Sequence, residues 1–201
     1  MTATIQTSFL TFSSSSQLLN IVALGDSITE GYPDFGSFTY PARLAILRPS
    51  ATIVNAGLTG AHWSDVASDL IPNYIAGHFD SNRFNICLLM CGINDITETG
   101  DSAATVLSAA AANISMIKSY GFKVMVSSLL PMGGNLEYQS ARSDFNAGIS
   151  SQGADYFIDI GANPYYNPAN SSVYADDLHL THAGYSGLGD SWNSALLGIG
   201  I

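Results

Sequence analysis

Residues 20–29 read Asn-Ile-Val-Ala-Leu-Gly-Asp-Ser-Ile-Thr (NIVALGDSIT). A short, almost wholly apolar run stops at a glycine, and small polar residues follow. Such a run reads as a strand buried on both faces, and the glycine as the start of a turn. The same pattern recurs at 51–54 (ATIV), 86–90 (ICLLM), 123–129 (KVMVSSL) and 156–160 (YFIDI). Between these runs lie helical patterns. Residues 102–120 carry the clearest one. Asp101 or Ser102 can cap it, Val106, Leu107, Ala110, Ile114 and Ile117 form its apolar stripe, and Gly121 ends it. Residues 64–71, 138–151 and 181–197 are weaker candidates. No internal repeat is visible. Strands that alternate with helices predict an α/β fold: a three-layer α/β/α sandwich around a central parallel sheet of about five strands.

Composition agrees with such a core. The chain has 201 residues, 47% of them hydrophobic and only 11% charged. Globular proteins average about 25% charged residues. Length predicts one domain, residues 20–201, with a Ser-rich surface segment at 1–19. Six basic residues against sixteen acidic ones give a net charge of −10. That field repels phosphate backbones and anionic lipid, so nucleic acid is not an expected partner. The longest apolar run, 86–91, is far short of the roughly 20 residues of a membrane span. No Sec signal is visible at the start. Location is unknown; scarce Lys and Glu with abundant Ser, Ala, Gly and Asn lean towards an extracellular or virion-associated protein. Cys87 and Cys91 are expected as buried free thiols, because four strand residues hold them about 13 Å apart. Asn113 and Asn170 begin glycosylation sequons that matter only in a eukaryotic secretory pathway.

In parallel sheets, ligands bind beyond the carboxyl ends of the strands. Three groups follow the first three strands: Gly25-Asp26-Ser27-Ile28-Thr29, Asn55-Ala56-Gly57-Leu58-Thr59-Gly60, and Gly92-Ile93-Asn94-Asp95. Asp176-Asp177-Leu178-His179 precedes the last helix. A serine hydroxyl needs an adjacent base to be a good nucleophile, and His179 can be that base. The imidazole in turn needs an acceptor that fixes its tautomer. Asp176, three residues earlier, shares a face with His179 if the segment is a helical turn. The backbone N–H groups of Ser27 and Gly57 and the amide of Asn94 can converge on one oxyanion. Asp26 and Asp95 are expected to brace their loops.

Taken together and in this order, the four groups resemble the four blocks of the SGNH hydrolases, the GDSL family of lipases and esterases. The resemblance runs from Gly25 to about Tyr185. It implies the SGNH, flavodoxin-like sheet. It implies Ser27 as nucleophile and first oxyanion donor, Gly57 as second donor and Asn94 as third, with His179 as base and Asp176 as its orienter. Ile28 stands where the family name has Leu, a branched aliphatic swap at a position expected to pack inward. The order Ser–Asp–His also suits α/β-hydrolases, but no G-x-S-x-G elbow occurs.

The expected function is therefore hydrolysis of short-chain carboxylic esters through an acyl-serine. Carbohydrate O-acetylesterase activity is the favoured form, with a small-molecule or glycan ester as partner and no organic cofactor or metal. The alternatives are a general short-chain esterase, thioesterase or lysophospholipase-like enzyme, and an inactive carbohydrate-binding module. His179, His182, Asp176 and Asp177 could form a zinc cluster, but that would leave Ser27, Gly57 and Asn94 unexplained. His182 is expected to cap the last helix or line the rim, His62 to border the cleft or lie on the surface, and His78 to be exposed. Tyr32, Phe35, Phe38, Tyr40, Tyr165, Tyr166 and Tyr174 supply candidates for stacking on substrate or walling an acyl pocket. Met132-Gly133-Gly134-Asn135 is expected to form a mobile cleft wall.

Overall fold

The structure is a computed structural model that describes residues 18–134 and 136–201. Residues 1–17 of the expected N-terminal segment, and Asn135, lie outside the described residues.

Five strands form one parallel sheet in the order β2-β1-β3-β4-β5. They are β1 (Leu19–Gly25), β2 (Thr52–Gly57), β3 (Phe84–Met90), β4 (Lys123–Ser127) and β5 (Tyr156–Ile158). Every residue of β1 is buried, because the strand lies inside the sheet and both of its faces are covered. The edge strands β2 and β5 are mostly half-buried or exposed. Strand β2 runs three residues past the expected end. Asn55, Ala56 and Gly57 continue the ladder against Ala23, Leu24 and Gly25. Strand β4 stops two residues early, since Leu129 gives its N–H to the Asn146 side chain instead of a strand.

The helices form two layers. α2 (Tyr40–Leu47) packs against α7 (His182–Gly198). α5 (Ala103–Ser119) packs against α6 (Leu136–Ile149) and against a π-helical segment, Val66–Ile75. Ser102 caps α5, its hydroxyl accepting from the N–H of Thr105. The segment expected as an ordinary helix at 64–71 is α3 (Trp63–Asp65) running into the π-helix, which contains Pro72. Proline has no N–H for the usual ladder, and the wider turn closes with the N–H of Ala76 on the carbonyl of Ile71. Two further short helices, α1 (Ser27–Glu30) and α4 (Ile93–Thr97), follow β1 and β3.

Trp63, Trp192, Tyr40, Tyr185 and Phe145 fill the core between the sheet and the two layers. Each such side chain removed from water contributes up to about 1.5–3 kcal/mol. Cys87 and Cys91 are free and buried, and burial pushes both thiols well above their ordinary range. Asn113 is buried too, its amide donating to the carbonyls of Trp63 and Ala109. Among the described residues, no helix is long and apolar enough to cross a membrane.

Candidate active site

The strand order reverses between β1 and β3, and the loops that leave β1, β2 and β3 meet there. Gly25 is paired with both Gly57 and Met90, so the three strands end on one row. After Gly25 the chain turns into α1. Asp26 is the N-cap, its Oδ1 accepting from the N–H of Ile28 at 3.0 Å. This is the bracing role expected of it. Burial lifts the Asp26 carboxyl to about 7, opposed by the Ile28 hydrogen bond and assisted by the negative charge of Asp95. Ile28 packs inward, 3% exposed.

Ser27 is the first residue of α1. Its Oγ lies 3.0 Å from Nε2 of His179. Nδ1 of the same ring lies 2.8 Å from Oδ2 of Asp176. A carboxylate only accepts hydrogen bonds, so the ring proton belongs on Nδ1 and Nε2 can accept from the serine hydroxyl. Oδ1 of Asp176 accepts from the backbone N–H groups of His179, at 2.6 Å, and Leu178, at 2.7 Å. Burial raises the Asp176 carboxyl, but hydrogen bonds from the His179 backbone and ring and from Leu178 outweigh it and hold the group below its ordinary range.

The Asp–His segment is a bridged turn instead of the helical turn expected. Tyr174 and Leu180 pair as an antiparallel bridge, and Ala175 donates to the carbonyl of His179 at 2.9 Å. Thr181 then caps α7, accepting from the N–H of Gly184. His179 is thereby fixed between a closed turn and a helix start.

The three expected oxyanion donors fare differently. Ser27, as the first helical residue, has no acceptor for its N–H within the helix. Asn94 is 5% exposed, and one amide hydrogen goes to the carbonyl of Ala61 at 2.8 Å, which leaves the other. The N–H of Gly57 is already engaged by Asn55 Oδ1 at 3.0 Å. A Cβ on Gly57 would lie 2.0 Å from the N of Glu30, so the glycine admits a close backbone crossing. Gly60, three residues on, has φ +77° and open space around it. Among the described residues its N–H makes no hydrogen bond. Ala61, the next residue, is the one tied to Asn94. The second glycine of Asn-Ala-Gly-Leu-Thr-Gly was the available sequence signal.

Around this centre, Asp95 accepts from the N–H of Trp63, 3.3 Å from either oxygen, and so braces the Asn94 loop. His62 lies 3.5 Å from both Asp65 and Glu98. His182 does not cap α7; it pairs with Asp34 at 2.7 Å and stacks on Phe38 with centroids 3.8 Å apart. The two histidines of the sequence-level zinc cluster thus engage different carboxylates. Among the described residues no such group is arranged to hold a metal ion. His78 is exposed. Tyr40, Tyr166 and Tyr174 belong to the core, whereas the Tyr32 ring lies 4.5 Å from the ring of His179.

Residues 23–186 match the GDSL-like lipase/acylhydrolase family. The chain belongs to that family and is a carboxylic ester hydrolase. Several solved structures share the fold. A lipolytic protein of the G-D-S-L family from Veillonella parvula superposes with a TM-score of 0.73 at 19% identity, over 89% of this chain and 98% of that one. A putative lipolytic protein of the same family from Desulfitobacterium hafniense gives 0.71 at 20% identity, over 88% and 98%. A family 3 carbohydrate esterase from Clostridium thermocellum gives 0.71 at 22% identity, over 91% and 97%. No curated protein matches the chain.

Proposed function

We propose that the chain hydrolyses short-chain carboxylic esters through an acyl-serine intermediate, and that its natural substrates are O-acetylated carbohydrates. The observation that carries the reading is the continuous relay Asp176–His179–Ser27, with contacts of 2.8 and 3.0 Å. His179 takes the Ser27 proton as Oγ attacks the ester carbonyl, and Asp176 stabilises the imidazolium that forms. The oxyanion receives hydrogen bonds from the Ser27 N–H and the free hydrogen of the Asn94 amide. Gly60 takes the place expected for Gly57 as second donor, since its N–H is unengaged. His179 then protonates the leaving alkoxide. A water deprotonated by His179 attacks the acyl-serine and frees the acid.

Charge supports a neutral substrate. The sequence has six basic residues, and all are engaged. Arg43 pairs with Asp190, Arg83 with Asp80, and Lys118 and Lys123 with Asp155. Arg48 binds Asn193 and the carbonyl of Ile201; Arg142 binds Gln139 and the carbonyl of Leu129. A lysophospholipid or coenzyme A thioester would find no uncommitted Lys or Arg for its phosphates. The fold shared with a carbohydrate esterase is compatible with a sugar ester. The test is initial rates on p-nitrophenyl acetate, butyrate and octanoate, for wild type and Ser27→Ala, followed by acetate release from chemically acetylated xylohexaose. A rate that favours acetate and falls by orders of magnitude in the variant is expected. A variant as active as wild type, or octanoate preferred over acetate, refutes the proposal.

A further inference from the structure

The segment 32–38 is exposed throughout, yet it is held at every turn. Tyr32 gives its N–H to the carbonyl of Ser27 and receives the Tyr185 hydroxyl on its own carbonyl at 2.6 Å. Phe35 donates to Gly31 at 2.7 Å. Asp34 is paired with His182, and Phe38 lies flat on the same imidazole, 7° from parallel. What this anchored loop offers to solvent is aromatic. Tyr32 is 37% and Phe35 39% exposed. Their rings meet edge to face, 5.8 Å apart at 86°. Phe35 has φ 53° and ψ −175°, a backbone conformation that side-chain-bearing residues avoid and that marks functional sites more often than others. The other ring of the pair, Tyr32, touches His179. The platform therefore adjoins the reacting centre.

We infer that Tyr32 and Phe35 form a subsite for a pyranose ring of a neutral glycan, the sugar that carries the ester or its neighbour. This rests on the carbohydrate ester reading above and names the residues that would select such a substrate. A sugar ring has an apolar C–H face and a rim of hydroxyl donors. The two rings supply the apolar surface. Asp34, between them in sequence, accepts hydrogen bonds only, and its contact with His182 uses Oδ2. An alkyl chain gains nothing from that carboxylate, and an anionic chain is repelled by it and by the net charge of −10. The remaining candidate aromatics are committed elsewhere: Tyr165 lies over α7 with its hydroxyl on the carbonyl of Ala183.

The experiment compares wild type, Phe35→Ala and Phe35→Trp on p-nitrophenyl acetate, chemically acetylated xylohexaose and acetylated oligogalacturonate, with thermal melts as the folding control. Phe35→Ala is expected to lower kcat/KM on acetylated xylohexaose about tenfold more than on p-nitrophenyl acetate, through KM, equivalent to about 1.4 kcal/mol of ring contact. Phe35→Trp is expected to restore the ratio, and the polyanionic ester to be the poorer glycan substrate. A variant with an unchanged substrate ratio, in an enzyme that does deacetylate xylohexaose, overturns the subsite and leaves the carbohydrate reading standing. Binding of unacetylated xylohexaose to Ser27→Ala, lost in Ser27→Ala/Phe35→Ala, supports the subsite independently of turnover. If wild type releases no acetate from acetylated xylohexaose and Ser27→Ala does not bind the unacetylated sugar, the subsite and the carbohydrate reading fail together. The ester hydrolase remains.

Discussion

Asp26→Asn is the substitution with the most determinate sign. Asp26 is fully buried, Oδ1 holds the N–H of Ile28, and Oδ2 has no hydrogen-bond partner among the described residues. Burial, with a contribution from Asp95, lifts the carboxyl from 3.8 to about 7. Between those values the folded chain keeps a proton that the unfolded chain has released. Stability therefore falls as pH rises through that window and levels off above about 7. From pH 5 to pH 9 the wild type crosses about two units of it, and at about 1.36 kcal/mol per unit Asp26 withdraws roughly 2–3 kcal/mol. Asparagine keeps an oxygen for the Ile28 N–H and cannot ionise, so the variant escapes this loss. Urea denaturation of both proteins at the two pH values reads the difference directly, because every other titrating group is shared. The stability advantage of the variant should be roughly 2–3 kcal/mol larger at pH 9 than at pH 5. For a chain of this length that is a relative gain of about 4–12 °C in Tm. An advantage that does not change with pH would show that Asp26 is ionised in the folded chain throughout, and the account of its burial would be wrong.

The relay gives a second expectation. Asp176→Asn presents an amide to Nδ1 and favours the tautomer whose Nε2 carries the proton and cannot accept from Ser27, so kcat should drop on the order of 10³–10⁴ with little change in stability; a loss under tenfold would separate Asp176 from the chemistry. The hydrogen bonds that hold the Asp176 carboxyl below its ordinary range keep it ionised as the acceptor for the Nδ1 proton. Gly57→Ala places a methyl 2.0 Å from the backbone N of Glu30, which cannot yield without moving α1. A stability loss of about 1–3 kcal/mol is expected in a denaturant melt, and an unchanged midpoint would show that β2 and α1 separate freely.

Much of this was legible in the sequence, for physical reasons that differ from element to element. β1 and β3 are central, so both faces demand apolar residues and NIVAL and ICLLM announce themselves. Edge strands announce less: β2 continues through Asn55 and Gly57, which no propensity marks as strand, because pairing with β1 holds them. The Ser27, Asn94, Asp176 and His179 groups stand out in the sequence because chemistry restricts residue type, and the fold sets Ser27, His179 and Asp176 in contact. The choice of Gly57 over Gly60 had no support in residue type, since an N–H donor leaves no mark in the side chain, and the two differ only in their structural surroundings. The aromatics were indistinguishable for a similar reason. Tyr32 and Tyr40 follow the same serine, yet Tyr40 turns into the core onto Thr29 and Trp192 while Tyr32 faces solvent against His179. Local sequence records that a ring is present, and tertiary packing decides which side it meets.

The sheet register explains why a chain this short suffices to build the whole centre. Neighbouring strands lie about 4.8 Å apart, and Gly25 faces Gly57 on one side and Met90 on the other. Ser27 is two residues past that row, Gly60 three and Asn94 four. Each needs only a short turn to reach the same point, and each turn is pinned by a bond to a neighbour: Leu58 to the carbonyl of Gly25, Thr59 to Glu30, Asn94 to the carbonyl of Ala61. His179 alone comes from far away in sequence, and it is the group with its own closed turn and its own helix cap. The serine and the residues proposed as donors follow the ends of adjacent strands, while the proposed base precedes α7, and Ser27 Oγ–His179 Nε2, Tyr185 Oη–Tyr32 O and the His182–Asp34 pair are among the contacts that join the two. Tyr185→Phe removes the Tyr32 contact without touching a reacting atom, so kcat on p-nitrophenyl acetate is expected to fall while the urea midpoint barely moves, and a wild-type kcat in the variant would refute a part for this contact in aligning His179.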